Sequence, residues 1–150
     1  MNKKIFCISA ILILILLLSG CTGEKPTLPE MPTDEELIRG VIDDVLSALS
    51  AKEFDRAKTY CVKDSSAYSS VVDLENYIKK KSNSCINITL NFSADISKID
   101  IDGDNAQANG YLTNIITCDK KVDDDSRNVT FSLQKVSGSW KVREGSLGVK

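Results

Sequence analysis

The chain has 150 residues, 42% apolar and 27% charged, with a formal net charge of -2 and no histidine. Residues 1–20 hold 14 of the apolar residues and two lysines, so the other 130 residues are about 38% apolar with a net charge of -4, enough for one small domain. This acidic balance argues against a nucleic-acid partner, and the lack of histidine excludes Ser-His-Asp, Cys-His and HExxH sites.

The N-terminal segment has the pattern of a secretory signal peptide. Lys3 and Lys4 form a short positive region, and an apolar run of 14 residues from Ile5 to Leu18 is interrupted only by Ser9. A membrane-spanning helix needs roughly 20 apolar residues. We therefore predict that residues 1–20 are a signal peptide. The alternative is an uncleaved membrane helix followed by a chance cysteine.

The end of this run, Leu18-Ser19-Gly20-Cys21, resembles the lipobox of prokaryotic lipoproteins. The resemblance implies a lipid on the Cys21 thiol, cleavage after Gly20 and a mature chain that begins at Cys21. Because two acyl chains give stable anchoring, a diacylglyceryl group on Cys21 would hold the protein on the extracytoplasmic side of a membrane. The host, bacterial or archaeal, and the final membrane of the cell envelope stay open.

Residues 21–32 are predicted to be a tether after the lipid anchor. All three prolines of the chain, Pro26, Pro29 and Pro32, lie in this segment. A polyproline II conformation rises ~3.1 Å per residue, so the segment reaches roughly 35 to 40 Å. We expect it to hold a domain of residues 33–150 clear of the bilayer. A ligand for a proline-recognition module is the alternative reading.

Three helices are predicted at the start of this domain. Thr33-Asp34-Glu35-Glu36 is a capping box, so the first helix should run from Thr33 to about Ser50. Its apolar stripe is predicted to be buried at Leu37, Val41, Ile42, Val45, Leu46 and Leu49. A second helix is expected over Glu53 to Cys61 and a third over Val71 to Lys80. Two polar stretches, Asp64-Ser65-Ser66 and Ser69-Ser70, are predicted as caps and connections.

From Cys85 onward the apolar period changes to two, which predicts a long strand with one buried face. The phase slips near Ser97-Lys98, which indicates a bulge. Asp102-Gly103 is a hairpin-turn signal that leads into a strand from Ala106 to Cys118.

The C-terminal part of the chain continues the strand pattern. Asp119 to Arg127 is predicted as a polar loop, and Val129, Phe131 and Leu133 alternate again. A turn at Ser137-Gly138 then leads to a last strand with Trp140 and Val142. Helices followed by antiparallel strands predict an α+β fold, with the helices packed on one face of a curved sheet.

This order of parts resembles the nuclear transport factor 2-like superfamily, in particular its small lipoprotein members of undefined function. The resemblance is carried by Thr33 to Cys61, the Ile99 to Ala106 turn and the Phe131 to Val142 hairpin. It implies a curved sheet wrapped around helices into a cone, often with a pocket in its mouth. The superfamily hosts isomerases, dehydratases and binding domains, so the fold leaves the function open.

Ketosteroid-isomerase-like members of the superfamily use a carboxylate base with tyrosine or protonated-acid donors. Asp95 or Asp100 could supply the base here. The phenol could come from Tyr60, Tyr68, Tyr77 or Tyr111. No local motif matches, so we expect a binding or interaction domain without catalytic residues. The alternative is an isomerase-like or dehydratase-like enzyme acting on a small hydrophobic substrate in the cone. A cone lined by a tyrosine and a carboxylate would favour the enzyme, and one filled by apolar side chains would favour interaction.

No metal or cofactor is expected. Asp100, Asp102 and Asp104 mimic the start of a calcium loop, but glycine stands at the fourth position of that loop rather than the sixth, so a hairpin turn explains them better. Partners are expected to be the membrane, through the lipid on Cys21, and either a small apolar ligand or an envelope protein.

Two surface motifs have alternative readings. Lys79-Lys80-Lys81 could contact anionic lipid or could simply complement a helix dipole. Glycosylation sequons begin at Asn87, Asn91 and Asn128, and they matter only in an archaeal host.

Three thiols, Cys61, Cys85 and Cys118, would remain after signal cleavage and lipidation. Disulfides persist in exported proteins, and the predicted hairpin brings Cys85 near Cys118. A turn at Asp102-Gly103 with one bulge places Cys85 opposite Asp119, so direct opposition to Cys118 needs a second bulge. The alternative is three reduced cysteines that pack as small apolar residues.

Overall fold

Helices precede strands along the chain, as predicted. The computed structural model describes residues 31–145 and Leu147, and those from Pro32 onward form one compact unit. The elements are α1 (Asp34–Ser50), α2 (Phe54–Thr59), α3 (Ser66–Lys81), β1 (Ile88–Asp102), β2 (Asn105–Cys118), β3 (Lys121–Asp124), β4 (Arg127–Val136) and β5 (Ser139–Glu144). The predicted signal peptide, Cys21 and most of the tether lie outside the described residues. Within the described part, no helix has the length and hydropathy that a membrane crossing requires.

The first helix begins at the predicted capping box. Glu36 N donates to Thr33 Oγ1 at 3.3 Å, and Thr33 N donates to Glu36 Oε2 at 2.8 Å. Burial differs from the prediction at two positions, since Leu37 is 41% exposed and Val41 is half-buried. Successive helical residues point about 100° apart, and the buried stripe is centred on the face of Ile38. The buried residues are Ile38, Ile42, Val45, Leu46, Ala48 and Leu49.

The second and third helices have bounds that differ from the predicted ones. α2 ends before Cys61, because the chain there pairs with β5: Val62 N donates to the carbonyl oxygen of Val142 at 2.8 Å. α3 begins five residues earlier than predicted, at Ser66. Ser65 Oγ accepts from Tyr68 N at 3.3 Å and caps this helix, so Ser69-Ser70 is helical and was wrongly predicted as a connection.

The strands form one antiparallel sheet in the order β1-β2-β4-β5, with β3 also paired to β2. The predicted bulge is confirmed by a register shift between Ile96 and Lys98. Asp102 pairs with Asn105, so the hairpin turn consists of Gly103 and Asp104, one residue later than predicted. Gly103 has a φ of 56°, a value that glycine adopts without steric cost.

Two parts of the strand prediction were wrong. Residues 121–124, predicted as loop, form β3 and pair with residues 115–118 of β2. Backbone hydrogen bonds can form this ladder without an apolar alternation, which is why the sequence pattern did not indicate it. The first strand begins at Ile88 rather than Cys85, and Ile86 is 91% exposed.

The core lies between the helices and one face of the sheet, here called the inner face. Alternate residues of the strands point to it and pack against α1 and α3. The strand residues buried there are Leu90, Phe92, Ile96, Ala106, Ala108, Leu112, Ile116, Phe131, Leu133, Trp140 and Val142. The opposite, outer face carries the intervening polar residues.

Candidate functional site

The inner face of the sheet is the place where the superfamily resemblance implied a pocket. Large apolar side chains occupy it: Phe92 from β1, Leu112 from β2 and Phe131 from β4 lie in one cluster with Ile42 and Leu46 of α1. All five are at most 4% exposed. Among the described residues, the inner face is therefore packed with apolar side chains.

A polar side chain, that of Asn114, is also fully buried on the inner face. It stands opposite Phe92 in the β1–β2 ladder, and its backbone oxygen accepts from Asp125 N at 2.9 Å. Phe92, Leu112 and Ile116 next to it on this face are apolar, but Arg127, the ladder partner of Leu112, lies on the same face and binds the carboxylate of Asp125.

The candidate tyrosines and carboxylates are not brought together in the core: Tyr60, Tyr68 and Tyr77 are partly buried against it, whereas Asp95 and Asp100 are exposed. Asp95 and Tyr111 are cross-strand partners, but both are exposed on the outer face. Asp100 binds Lys98 Nζ at 2.7 Å. A different pair, Tyr77 and Asp123, comes together with the phenol donating to the carboxylate at 3.5 Å. Neither the Asp95 pair nor the Tyr77 pair lies in an apolar cavity of the kind that the isomerase chemistry requires.

The outer face has a depression of about 500 Å³ at the point where the bulge bends β1. We call it the outer-face pocket and define it by the side chains Asp95, Ser97, Asn109, Tyr111, Asn128 and Thr130. The ladder registers place Asp95, Tyr111 and Asn128 in one row across three strands, and Asn109 beside Thr130 in the next row. Residues opposite each other in a ladder share a face, so the register assembles this group.

Hydrogen bonds within the outer-face pocket hold two of its groups in place. Thr130 Oγ1 donates to Asn109 Oδ1 at 2.6 Å, and Ser97 Oγ donates to the backbone oxygen of Asn109 at 3.1 Å. Tyr111 is 48% exposed and presents its ring to solvent. The sequence indicated only that these positions are polar. Their alternation with apolar residues indicates that they share the exposed face of a strand, but it does not specify which residues are neighbours across the strands.

A second depression of about 410 Å³ lies farther along the outer face. Asp100, Gln107 and Ser132 form a cross-strand row there, with Glu144 of β5 beside Ser132. Gln107 stands two residues from Asn109 on β2, which corresponds to about 7 Å along a strand. The two depressions therefore follow one another on a single polar face.

The aspartates that mimic a calcium loop form the β1–β2 turn. The carbonyl oxygen of Asp104 accepts from Lys135 N at 2.8 Å, and Asp102 pairs with Asn105. Across residues 31–145 and Leu147, no three carboxylate or cysteine residues are arranged to hold a metal ion.

Cys85 and Cys118 form a disulfide with their Cα atoms 5.6 Å apart, and Cys61 is a free, buried thiol. The predicted register was wrong, because Cys118 pairs with Ile88 and Cys85 precedes the strand. Asp119 instead bends the chain before β1: its carboxylate accepts from Ile86 N at 3.1 Å and from Asn87 N at 2.9 Å. This bend brings Cys85 to Cys118 without a second bulge.

Two of the three lysines at the end of α3, Lys79 and Lys81, have protein partners. Lys79 Nζ lies 2.6 Å from Glu75 Oε1, and Lys81 Nζ lies 3.7 Å from Asp123 Oδ2 and 5.3 Å from the centre of the Tyr77 ring. These contacts and the position in the last helical turn account for the lysine run without a lipid.

The sequon asparagines, Asn87, Asn91 and Asn128, are all exposed. Asn91 and Asn128 stand on the outer face, and Asn87 precedes β1.

No protein-family model and no curated protein matches this sequence. Among solved structures, the chain is similar to a conserved protein from Planctomyces limnophilus, at 14% identity over 75% of this chain and 92% of that chain, with a TM-score of 0.61. It is also similar to an NTF-2 like protein of unknown function from Shewanella oneidensis, at 12% identity over 75% and 97% of the two chains, with a TM-score of 0.57.

A third similar structure is that of a Catenulispora acidiphila protein in complex with S-DNPA, at 14% identity over 67% of this chain and 81% of that chain, with a TM-score of 0.53. At these identities the likeness concerns the fold alone. The fold is nuclear transport factor 2-like, with helices packed against a curled antiparallel sheet, as the sequence resemblance implied.

Proposed function

We propose that the protein is a membrane-anchored, extracytoplasmic lipoprotein whose single domain acts by binding a ligand or another protein. The observation that carries the binding role is the packing of the inner face. Phe92, Leu112 and Phe131 fill the space between sheet and helices where a catalytic member of this fold class would need room for its substrate. Polar groups that could meet a partner are concentrated on the outer face instead.

The disulfide supports the extracytoplasmic part of the proposal. Structural disulfides persist in oxidising compartments and are rare where glutathione and thioredoxin keep thiols reduced. Cys85 and Cys118 meet at the start of the sheet. The signal sequence and the lipobox at Cys21 supply the route to such a compartment and the anchor.

The alternative function is an enzyme acting on a small hydrophobic substrate. Its best candidate pair is Tyr77 and Asp123, beside a surface depression of about 640 Å³. Lys81 and Lys121 both lie 3.7 Å from Asp123, so this pair is surrounded by charged side chains. A base that abstracts a proton from an apolar ketone needs an apolar pocket, and this site is polar and charged. The enzyme is therefore the second candidate function.

The anchor is tested on the full chain expressed in a bacterium, with Cys21→Ser as the matched control. We expect the wild-type protein to stay with the membranes after a high-salt wash, with an intact mass that starts at Cys21 and includes acyl chains. External protease added to spheroplasts should degrade the domain. A product that retains Met1, or that starts at Cys21 without acyl mass, would overturn the anchoring.

The binding role is tested against the enzyme alternative with the same purified protein. Incubation with a β,γ-unsaturated ketone should give no isomerisation above the rate of buffer alone. Turnover that disappears in Tyr77→Phe or Asp123→Asn would favour the enzyme.

A further inference from the structure

The outer-face pocket combines hydrogen-bond donors and acceptors in a small area. Asp95 contributes a carboxylate that accepts hydrogen bonds. The amide of Asn128 and the hydroxyls of Ser97 and Thr130 can both donate and accept hydrogen bonds. The row of Asp95, Tyr111 and Asn128 crosses three strands and therefore spans about 10 Å. A ligand that matches this surface carries several neighbouring groups that each donate and accept hydrogen bonds.

The charge of the outer-face pocket narrows the ligand class. None of the eight described residues that line it is cationic, and Asp95 contributes a carboxylate. Lys98 stands opposite Asn109 in the ladder, but its Nζ lies 2.7 Å from the Asp100 carboxylate. A phosphate or carboxylate ligand would be repelled by the carboxylate of Asp95, and the neighbouring cation, Lys98, is already paired with Asp100. An apolar ligand would leave the amides and hydroxyls without hydrogen bonds, which is costly. Uncharged polyhydroxylated compounds satisfy both conditions.

Tyr111 adds an aromatic ring, on which a sugar ring of such a ligand can stack. The apolar C–H faces of sugar rings pack on aromatic rings while their hydroxyl groups bond to polar side chains. The Tyr111 ring is 48% exposed and stands between Asp95 and Asn128 in the row. The Thr130 bond fixes the Asn109 amide beside it, so part of the surface is organised before a ligand arrives.

The second depression gives the site length. Gln107 and Ser132 continue the polar face next to Asn109 and Thr130. The charged residues that line this depression are the carboxylates Asp100, Asp102 and Glu144 and one cation, Arg143, so it too disfavours an anionic ligand. Both depressions are open and neither is enclosed by helices, so an extended chain of sugar units can lie across them. A single small molecule would occupy only one of them.

We propose that the outer-face pocket and its neighbouring depression bind an uncharged glycan chain, with Tyr111 as the stacking ring and Asp95, Asn109 and Asn128 as the hydroxyl-binding groups. This inference rests on the binding function proposed above and names the ligand class and the site.

The test uses the 15N-labelled full chain in a detergent without a sugar headgroup. Maltotetraose, mannotetraose and chitotetraose are the neutral probes, and inorganic phosphate is the anionic probe. Backbone amide shifts of Gly110 and Val129 report on the pocket, since both residues line it. Tyr111→Ala and Asn128→Ala alter the site, while Asn91→Ala removes an exposed amide from the same face outside it.

We expect at least one tetrasaccharide to shift the Gly110 and Val129 amides in a saturable way. Tyr111→Ala should weaken this binding by about tenfold or more, as the loss of an aromatic anchor does, while Tyr111→Phe and Asn91→Ala should change it little. Equal thermal midpoints of the variants would show that they are folded.

The proposal is overturned if no tetrasaccharide shifts these amides, if phosphate binds there more tightly, or if Tyr111→Ala and Asn128→Ala bind as wild type does. Each of these results leaves the mass and membrane-wash results of the anchoring test, and the ketone result of the enzyme test, unchanged. A failure of the glycan inference is therefore distinguishable from a failure of the anchored binding role.

Discussion

Ser50, the last residue of α1, caps the free edge of β1 at Phe92: the Phe92 backbone N–H donates to Ser50 Oγ at 2.9 Å. The Ser50 hydroxyl in turn donates either to the Phe92 carbonyl oxygen, 3.3 Å away, or to that of Leu46, 3.0 Å away. Lys52 Nζ bonds the carbonyl oxygen of Ile88. Because β1 is an edge strand of 15 residues, such contacts protect it from pairing with other chains.

A further side chain of α1 reaches the same edge. Arg39 Nη1 donates to the carbonyl oxygen of Ile96 at 2.7 Å, next to the bulge. Backbone groups of β1 that point away from β2 therefore have side-chain hydrogen-bond partners at Ile88, Phe92 and Ile96, which lie four residues apart.

Ser50→Ala should destabilise the domain by about 1 to 3 kcal/mol, because it leaves the half-buried Phe92 N–H without its acceptor. Urea unfolding measures this difference. Ser47→Ala, an exposed position on the same helix, is the control and should have little effect. Equal stability of the Ser50 and Ser47 variants would mean that the edge contact contributes nothing.

Leu46→Ala should cost about 2 to 5 kcal/mol, because Leu46 is 1% exposed and its truncation leaves a cavity in the core. Leu37→Ala is the matched control on the same helix, and its cost should be well below that of Leu46→Ala because Leu37 is 41% exposed. Thermal unfolding compares the two variants. A similar midpoint for both would contradict the helix orientation described above.

Gly110→Ala should destabilise the domain by at least about 1 to 3 kcal/mol through overpacking. An added Cβ would lie 2.2 Å from the backbone oxygen of Asp95, since Gly110 pairs with Ile96 directly beside the bulge. Gly40→Ala offers a control of opposite sign, since nothing lies within 4 Å of its Cβ position and alanine favours the helix by roughly 0.5 to 1 kcal/mol. Chemical denaturation measures the stability of both variants. An unchanged stability of Gly110→Ala would contradict the close contact between residue 110 and the Asp95 backbone.

Asp34 should make the stability of the domain depend on pH. Hydrogen bonds from Lys135 Nζ and Trp140 Nε1, each 2.8 Å from Asp34 Oδ1, lower the pKa of the Asp34 carboxyl below its ordinary value of 3.8. A lowered pKa in the folded state contributes stability above pH 3.8 and loses it as the pH falls through the folded value.

Asp34→Asn should therefore be less stable than wild type at neutral pH, and the difference should shrink below pH 3.8. Urea midpoints measured across the acidic range test this. Asp43→Asn, at an exposed position on α1, is the matched control for removing one carboxylate from the same helix. A stability difference that stays constant with pH would refute the role of the carboxylate charge.

Non-reducing peptide mapping should recover Cys85 linked to Cys118, with Cys61 as a free thiol. Burial raises the pKa of Cys61 to about 12, so its alkylation in the folded protein should be slow. Because the disulfide spans 33 residues of sequence, Cys85→Ser with Cys118→Ser should cost roughly 3 to 4 kcal/mol by the chain-entropy estimate. Either cysteine linked to Cys61 would contradict the structure.

Local features of the fold could be predicted from the sequence. The capping box at Thr33 and the bulge near Ser97 can each be recognised from a few consecutive residues, because they depend on hydrogen bonds and apolar periodicity within one segment. The same holds for the helix-then-strand order, which pointed to the α+β fold. Leu37 was predicted wrongly because it lies at one margin of the apolar stripe of α1, and only packing against the sheet decides how far burial extends to that margin.

Only the tertiary structure decided which residues meet across the sheet. Asp95, Tyr111 and Asn128 are 16 and 17 residues apart in sequence, and a register change of one residue would separate them and send alternate side chains to the other face. The turn at Gly103 and Asp104 and the bend held by Asp119 set that register and the disulfide contact. Long-range pairing of this kind depends on the whole core, so the outer-face pocket could be recognised only in the folded chain.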